Sequence, residues 1–290
     1  MAHHRIFFAV LVFAAACHAT MPPGPTVAPE KARAAVTRSL PLLQKSADIW
    51  IKRRECMSCH HTMLGALAVA TARRQGIPID QALFDRQLAR MAADKLDSVD
   101  AALAGVAAIN GQVGFSYFML AQSGVGVSDF PLRAATVHYV AGKQAADGRW
   151  PSDSQRPPLE DSPVTATALS LRALSRYGFP ERHDLAQRIA RGRAWLAGVT
   201  AESVEERTFQ LFGLYWTGSP PAALTAQRDA LLSLQRPDGG WAQIPGRDSD
   251  AYATGQALVA LSVDSAIPAD TLVEIEHAID AVQVRAADLV

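Results

Sequence analysis

The chain repeats itself, and the repeat limits what it can fold into. Gln144-Ala-Ala-Asp147-Gly148-Arg-Trp150 returns as Gln235-Arg-Pro-Asp238-Gly239-Gly240-Trp241, with Gln235 91 residues after Gln144. A matching segment follows each copy: Ala166-Thr167-Ala-Leu-Ser-Leu171-Arg-Ala173-Leu174 and Ala253-Thr254-Gly-Gln-Ala-Leu258-Val-Ala260-Leu261. Half of that spacing, about 45 residues, is the length of two ordinary helices with their turns. Near the midpoint, Arg193-Ala-Trp195-Leu-Ala-Gly198 reads as a degraded copy. The unit has a physical reading. A helix ends at the glutamine, and Asp-Gly makes a tight turn in which the glycine takes a positive φ. The tryptophan then folds back into the packing while its indole N–H seeks an acceptor. The next helix carries small residues on one side and can approach its neighbours closely.

The rest of the chain agrees with a helical repeat. From Lys31 onward, apolar residues recur at three- and four-residue steps in 35–50, 64–72, 103–109, 164–174, 189–199, 209–216 and 257–261. Gly76-Ile-Pro78, Gly178-Phe-Pro180, Gly218-Ser-Pro220-Pro221 and Ile267-Pro268 fall where helices should stop. Alternating runs are too short to build a sheet. The pattern predicts an all-α chain of about eleven helices arranged as helical hairpins.

The Q-x-x-D-G-x-W unit, at Gln144, Asp147, Gly148 and Trp150 and again at Gln235, Asp238, Gly239 and Trp241, resembles the QW repeat of the squalene-hopene cyclase and protein prenyltransferase superfamily. The resemblance covers residues 31–290 and implies an α/α toroid. In that fold inner helices surround a central cavity and outer helices are clamped by the Gln and Trp, so these eight residues are expected to be structural. A further copy would begin near Gln283, where the sequence runs Asp280-Ala-Val-Gln283-Val-Arg-Ala-Ala-Asp288, and an incomplete ring is therefore expected.

Fold alone does not assign an activity. The protonating cyclases of the superfamily use Asp-x-Asp-Asp, in which burial and neighbouring carboxylates make one Asp an acid, and this sequence has no Asp-Asp pair. Its nearest feature is Asp248-Ser-Asp250, at a helix start where Asp also serves as an N-cap. Asp248 and Asp250 are the candidate acids. Protein prenyltransferases need zinc ligands from Asp, Cys and His, and beyond Cys17 the cysteines are Cys56 and Cys59. In the long loop after Trp150, Arg156, Glu160 and Asp161 are candidates for a cavity rim, joined by Thr167, Tyr252 and Thr254 near the following helix starts.

The two cysteines form Cys56-Met-Ser-Cys59-His60, the attachment signature of c-type haem. Two thiols at this spacing reach the two vinyl groups of one porphyrin edge, and the adjacent His60 supplies the proximal iron ligand. Met91, Met119 and His138 are candidates for the sixth ligand. A Cys56–Cys59 disulfide in an oxidising compartment is the alternative. An export signal bears on this choice, because haem of this kind is attached outside the cytoplasm. Residues 1–19 read as that signal, with Arg5 before the apolar stretch Ile6 to Ala16, which is too short to span a bilayer. Cleavage before Cys17 would leave a lipid on that residue; cleavage near Ala19 would discard it. Residues 20–30 form a Pro-rich linker.

The run Cys56-Met-Ser-Cys-His-His61, the helix after it, Arg156-Pro157-Pro158-Leu-Glu160 and Ser249-Asp250-Ala-Tyr252-Ala-Thr254 together resemble a bacterial family of secreted squalene-cyclase-repeat proteins carrying the CxxCH motif. Charge narrows the partners further. With 28 basic and 28 acidic residues and no long basic run, the chain lacks the face that phosphate neutralisation on nucleic acid needs. Three functional readings follow. The first is an exported haem protein in a bacterial envelope, binding an apolar or isoprenoid-like molecule and serving a periplasmic redox partner. The second is a terpene-cyclase-like enzyme with a non-standard acid. The third is a non-catalytic binding toroid with a Cys56–Cys59 disulfide.

Overall fold

In a computed structural model, which describes residues 29–54, 57–106, 111–122, 130–152 and 154–263, the helical periodicity becomes eleven α-helices among the described residues. They are α1 (Pro29–Arg53), α2 (Gly65–Arg74), α3 (Gln81–Leu96), α4 (Val99–Leu103), α5 (Gly111–Gln122), α6 (Phe130–Gly142), α7 (Pro163–Tyr177), α8 (Asp184–Gly198), α9 (Val204–Trp216), α10 (Pro221–Leu232) and α11 (Ala251–Ser262). A π turn, Cys59–Leu64, leads into α2. Among the described residues the β pairing is a single bridge between Arg156 and Glu160. No described helix is long and apolar enough to cross a membrane. The signal sequence falls outside the described residues. So does the linker, apart from its last two residues, which open α1.

The helices form two layers. An inner series, α2, α5, α7, α9 and α11, packs each member against the next, and α1, α3, α6, α8 and α10 lie outside it. Burial follows from composition. In α7 every residue from Val164 to Leu171 is buried, as expected of a helix enclosed on all sides. Outer α8, rich in Arg and Gln, buries only Leu185, Gly192 and Leu196. The all-α, two-layer α/α arrangement is the one implied by the repeat.

The repeat itself is a staple between layers. Trp150 and Trp241 are fully buried. Their indole N–H groups donate to Val140 O at 2.6 Å and Leu231 O at 2.9 Å, on the outer helices that precede them. Their backbone N–H groups donate to Thr167 Oγ1 at 2.9 Å and Thr254 Oγ1 at 3.0 Å, on the inner helices that follow. Gln144 Nε2 donates to Gly148 O at 2.8 Å and Gln235 Nε2 to Gly239 O at 3.0 Å, closing each turn. Gly148 has φ +100°, and a Cβ there would lie 2.7 Å from Arg191 O, so both conformation and contact require glycine.

Two sequence expectations change. The helix expected over 103–109 ends at Leu103, because Gly105 at φ +70° turns the chain out; 107–110 lie outside the described residues. The degraded copy at 193–198 makes no turn, and α8 runs through it with Trp195 only partly buried. There Gln210 of α9 provides the clamp, donating to Leu196 O at 2.6 Å and Val199 O at 2.9 Å.

Close approach of the inner helices gives a first prediction. A Cβ on Gly213 would clash with Leu196 Cδ1 and lie 3.1 Å from the Cα of Ala168. Gly213→Val is expected to destabilise the fold by about 1–3 kcal/mol through overpacking, seen as a lower urea midpoint.

Candidate functional site

Three inner helices begin at the same end of the fold, and a cavity of about 820 Å³ lies among their starts. Each start is capped by a side chain that also lines this cavity. Ser162 Oγ accepts from Val164 N at 3.0 Å, Ser203 Oγ from Glu206 N at 3.1 Å, and Asp250 Oδ1 from Ala253 N at 2.9 Å. The loops before the caps supply the walls: Pro157, Pro158 and Asp161; Glu202; and Gln243, Ile244, Arg247 and Asp248. Pro157-Pro158 is a cis bond, inside the hairpin closed by Arg156 and Glu160. These two exchange backbone hydrogen bonds and pair their side chains at 2.7 Å.

Glu205 is the chemically distinctive group of this wall. Only 5% of it is exposed, although it stands in the first turn of α9. Tyr252 O–H on α11 lies 3.1 Å from one carboxyl oxygen and 3.3 Å from the other, and Gln256 Nε2 donates to the Tyr252 oxygen. Burial disfavours the charged form and pushes the Glu205 carboxyl up to about 8, against the hydrogen bonds that pull it down. Burial, with the Glu205 carboxyl beside it, also holds the Tyr252 phenol far above its ordinary range. Neighbouring Glu206 differs: it accepts from Ser162 Oγ at 2.5 Å and from Glu202 N at 2.6 Å. The wall therefore holds one buried carboxyl, Glu205, whose burial favours its neutral form.

The structure places the expected site residues unevenly. Asp161, Asp248 and Asp250 line the cavity, with one oxygen of Asp250 committed to its cap. Tyr252 meets the wall through Glu205. Arg156 and Glu160 face each other in the hairpin behind Pro157 and Pro158. Thr167 and Thr254 sit inside the fold instead of at its rim, their hydroxyls accepting the two tryptophan amides. Sequence pattern alone does not single out Glu205. Its signal was available: Ser203-Val-Glu-Glu206 has the capping-box spacing, and Glu205 shares a helical face with Phe209 and Phe212, three and four residues apart.

At the cysteine motif, Cys56 lies outside the described residues, as do the side chains of Cys59 and His60. The backbone from Cys59 to Leu64 forms the π turn, capped by Ser58, which accepts from His61 N at 3.2 Å. Met91 and Met119 are buried in the core on α3 and α5, and His138 is exposed on α6. Among the described residues no three His, Cys, Asp or Glu side chains are gathered as a metal site.

No family model matches the chain. A drimenyl diphosphate synthase from Streptantibioticus cattleyicolor is 30% identical over 166 residues, covering 51% of this chain and 30% of that protein. The chain thus spans about a third of the length of the curated relative it matches. This similarity and the all-helical architecture together fit a terpenoid-cyclase-like fold.

Proposed function

We propose that the chain is a terpenoid-cyclase-like enzyme in which Glu205 is the proton donor. The observation that carries this reading is a buried carboxyl, Glu205, hydrogen-bonded to Tyr252 in the wall of a cavity whose volume suits a small organic ligand; its burial favours the protonated form. Partial similarity to a drimenyl diphosphate synthase supports it. Glu205 gives its proton to a carbon–carbon double bond and becomes a carboxylate, which the Tyr252 O–H stabilises. Ring closure forms a carbon–carbon bond from a second double bond and moves the positive charge to its far carbon, and Asp248 or the outer oxygen of Asp250 takes a proton from the neighbouring carbon, which leaves a new double bond. The product is an isomer of the substrate.

The other cavity walls bear on the substrate. Asp161, Glu202, Glu206, Asp248 and Asp250 share the lining with Arg247, its single cationic side chain among the described residues. Such a balance stabilises a developing carbocation and disfavours a bare diphosphate, so an uncharged isoprenoid suits it best. The test is incubation with farnesol, squalene and farnesyl diphosphate in D2O, read by mass spectrometry. The expected product from an uncharged probe is cyclic and carries one deuterium. Absence of any cyclised product from all three probes would sink the proposal.

A second reading, an exported c-type haem protein serving a redox partner, is supported by the Cys56-to-His60 pentapeptide. If neither cyclisation nor haem is found, a binding toroid with a Cys56–Cys59 disulfide is what stays.

A further inference from the structure

The first helix carries two different faces. Leu40, Gln44 and Ala47 are buried. Gln44 ties this inner face to the start of α3, its Nε2 donating to Asp80 O at 2.8 Å and its Oε1 accepting from Asp80 N at 3.1 Å. Gln87 of α3 donates in turn to Gln44 O at 2.8 Å, so α1 is held at a fixed rotation. Successive residues turn by about 100° around a helix, which puts positions 42 and 49 opposite 40, 44 and 47, with 45 and 53 on either side of them. There Leu42 is 70% exposed and Ile49 39%, and Lys45 and Arg53 beside them are exposed too. Single exposed aliphatic residues are ordinary, but two in line between cations form a patch. A groove of about 420 Å³ runs along it, lined by these same four residues. The helix holds six basic residues against two acidic, Glu30 and Asp48, in a chain balanced overall at 28 and 28. Asp48 is turned about 100° away from Ile49 and is paired with Lys52 at 2.6 Å, so it does not neutralise the patch.

We propose that the outward face of α1 docks on an anionic lipid surface. Positions 42 to 53 span about 16 Å along the helix, and a plane laid against that side meets all four residues at once. Leu42 and Ile49 enter the headgroup layer. Lys45 and Arg53 lay their apolar stems along it and set their charges against the phosphates. Charge complementarity selects the lipid: an anionic headgroup layer attracts this face, whereas a neutral one meets only two aliphatic side chains. Those side chains at the centre of the patch suit lipid and not a nucleic-acid backbone, which offers them nothing apolar. The helix lies along the surface without crossing it. Among the described residues this face and the cavity beside Glu205 share no lining residue, so docking is independent of proton chemistry there.

The experiment is co-sedimentation of the full chain with vesicles of phosphatidylcholine, alone or mixed equally with phosphatidylglycerol. The chain carries Cys17→Ser, so that no lipid on that residue contributes. Binding to the mixed vesicles is expected to be at least about ten-fold stronger than to the neutral ones, and to fall when salt is added. Lys45→Glu/Arg53→Glu is expected to weaken it at least about ten-fold, and Leu42→Ser/Ile49→Ser by about as much. Both variants change exposed side chains only and are expected to keep the far-ultraviolet helix signal. No binding to either vesicle, equal binding to both, or binding that ignores both variants overturns the proposal. So does a dimer in sedimentation velocity that the same substitutions dissociate, because the face would then belong to a second copy of the chain.

Discussion

Glu205→Gln is expected to lower cyclisation at least about 100-fold, the usual scale for losing a positioned general acid, while making the protein more stable in alkaline solution. Gln keeps the shape and still accepts from Tyr252, so the loss isolates the proton. The stability effect has a definite sign. The Glu205 carboxyl is raised from 4.5 to about 8 in the folded protein, so between those values the folded state binds more protons than the unfolded chain. Stability contributed by the neutral carboxyl is therefore fully present below pH 4.5 and is lost as pH rises through about 8. The whole effect is on the order of a few kcal/mol. Thermal unfolding of the wild type and the Gln variant across pH 5 to 9 checks this, and the two melting temperatures are expected to diverge as pH increases. Parallel curves would mean that Glu205 is charged throughout, which would also remove it as a donor. A substitution that silences activity and firms up the fold is the pattern expected where a site stores unfavourable burial.

Trp150→Ala is expected to cost about 3–5 kcal/mol, the range for removing a fully buried large side chain. The ring fills the space against Gly192, where an added Cβ would lie only 2.8 Å from Trp150 Cζ3, so neighbouring backbone cannot readily collapse into the void. The Val140 carbonyl also loses its donor. Trp150→Phe separates these contributions, because it keeps most of the ring and removes the hydrogen bond, at roughly 1–3 kcal/mol. Urea unfolding measures both. An alanine variant within about 1 kcal/mol of wild type would show that the staple is decorative, against the usual scale of core deletions.

The two layers could be read from the sequence because each staple is local. Gln144, Gly148, Trp150 and Thr167 lie within one stretch of chain, and Gln235 to Thr254 repeats them, so pattern alone displays the contact. The acid could not be read that way. Burial favours the neutral form of Glu205, and that burial exists only once α9, α11 and the loops enclose the carboxyl; the hydrogen bond from Tyr252, 47 residues away, works against it. From sequence, Glu205 and Glu206 are twins; in space one is enclosed and the other accepts from Ser162 and a backbone amide. Asp248 and Asp250 drew attention through spacing, and packing gave Asp250 a cap to hold. Thr167 and Thr254 looked like rim residues because they stand near helix starts, but their register turns them toward the tryptophan amides. The helix expected from 103 onward stops for a simpler reason: Gly105, with its positive φ, follows the last helical residue, Leu103.

The tryptophan amides meet their threonine partners across 17 residues in one copy and 13 in the other, yet the two junctions have the same geometry. A segment anchored at both ends by identical joints can change its length without transmitting the change to the scaffold. Segments from a relative with the same joints should therefore transplant onto this frame, and what the mouth of the cavity selects can be altered separately from what keeps the helices upright.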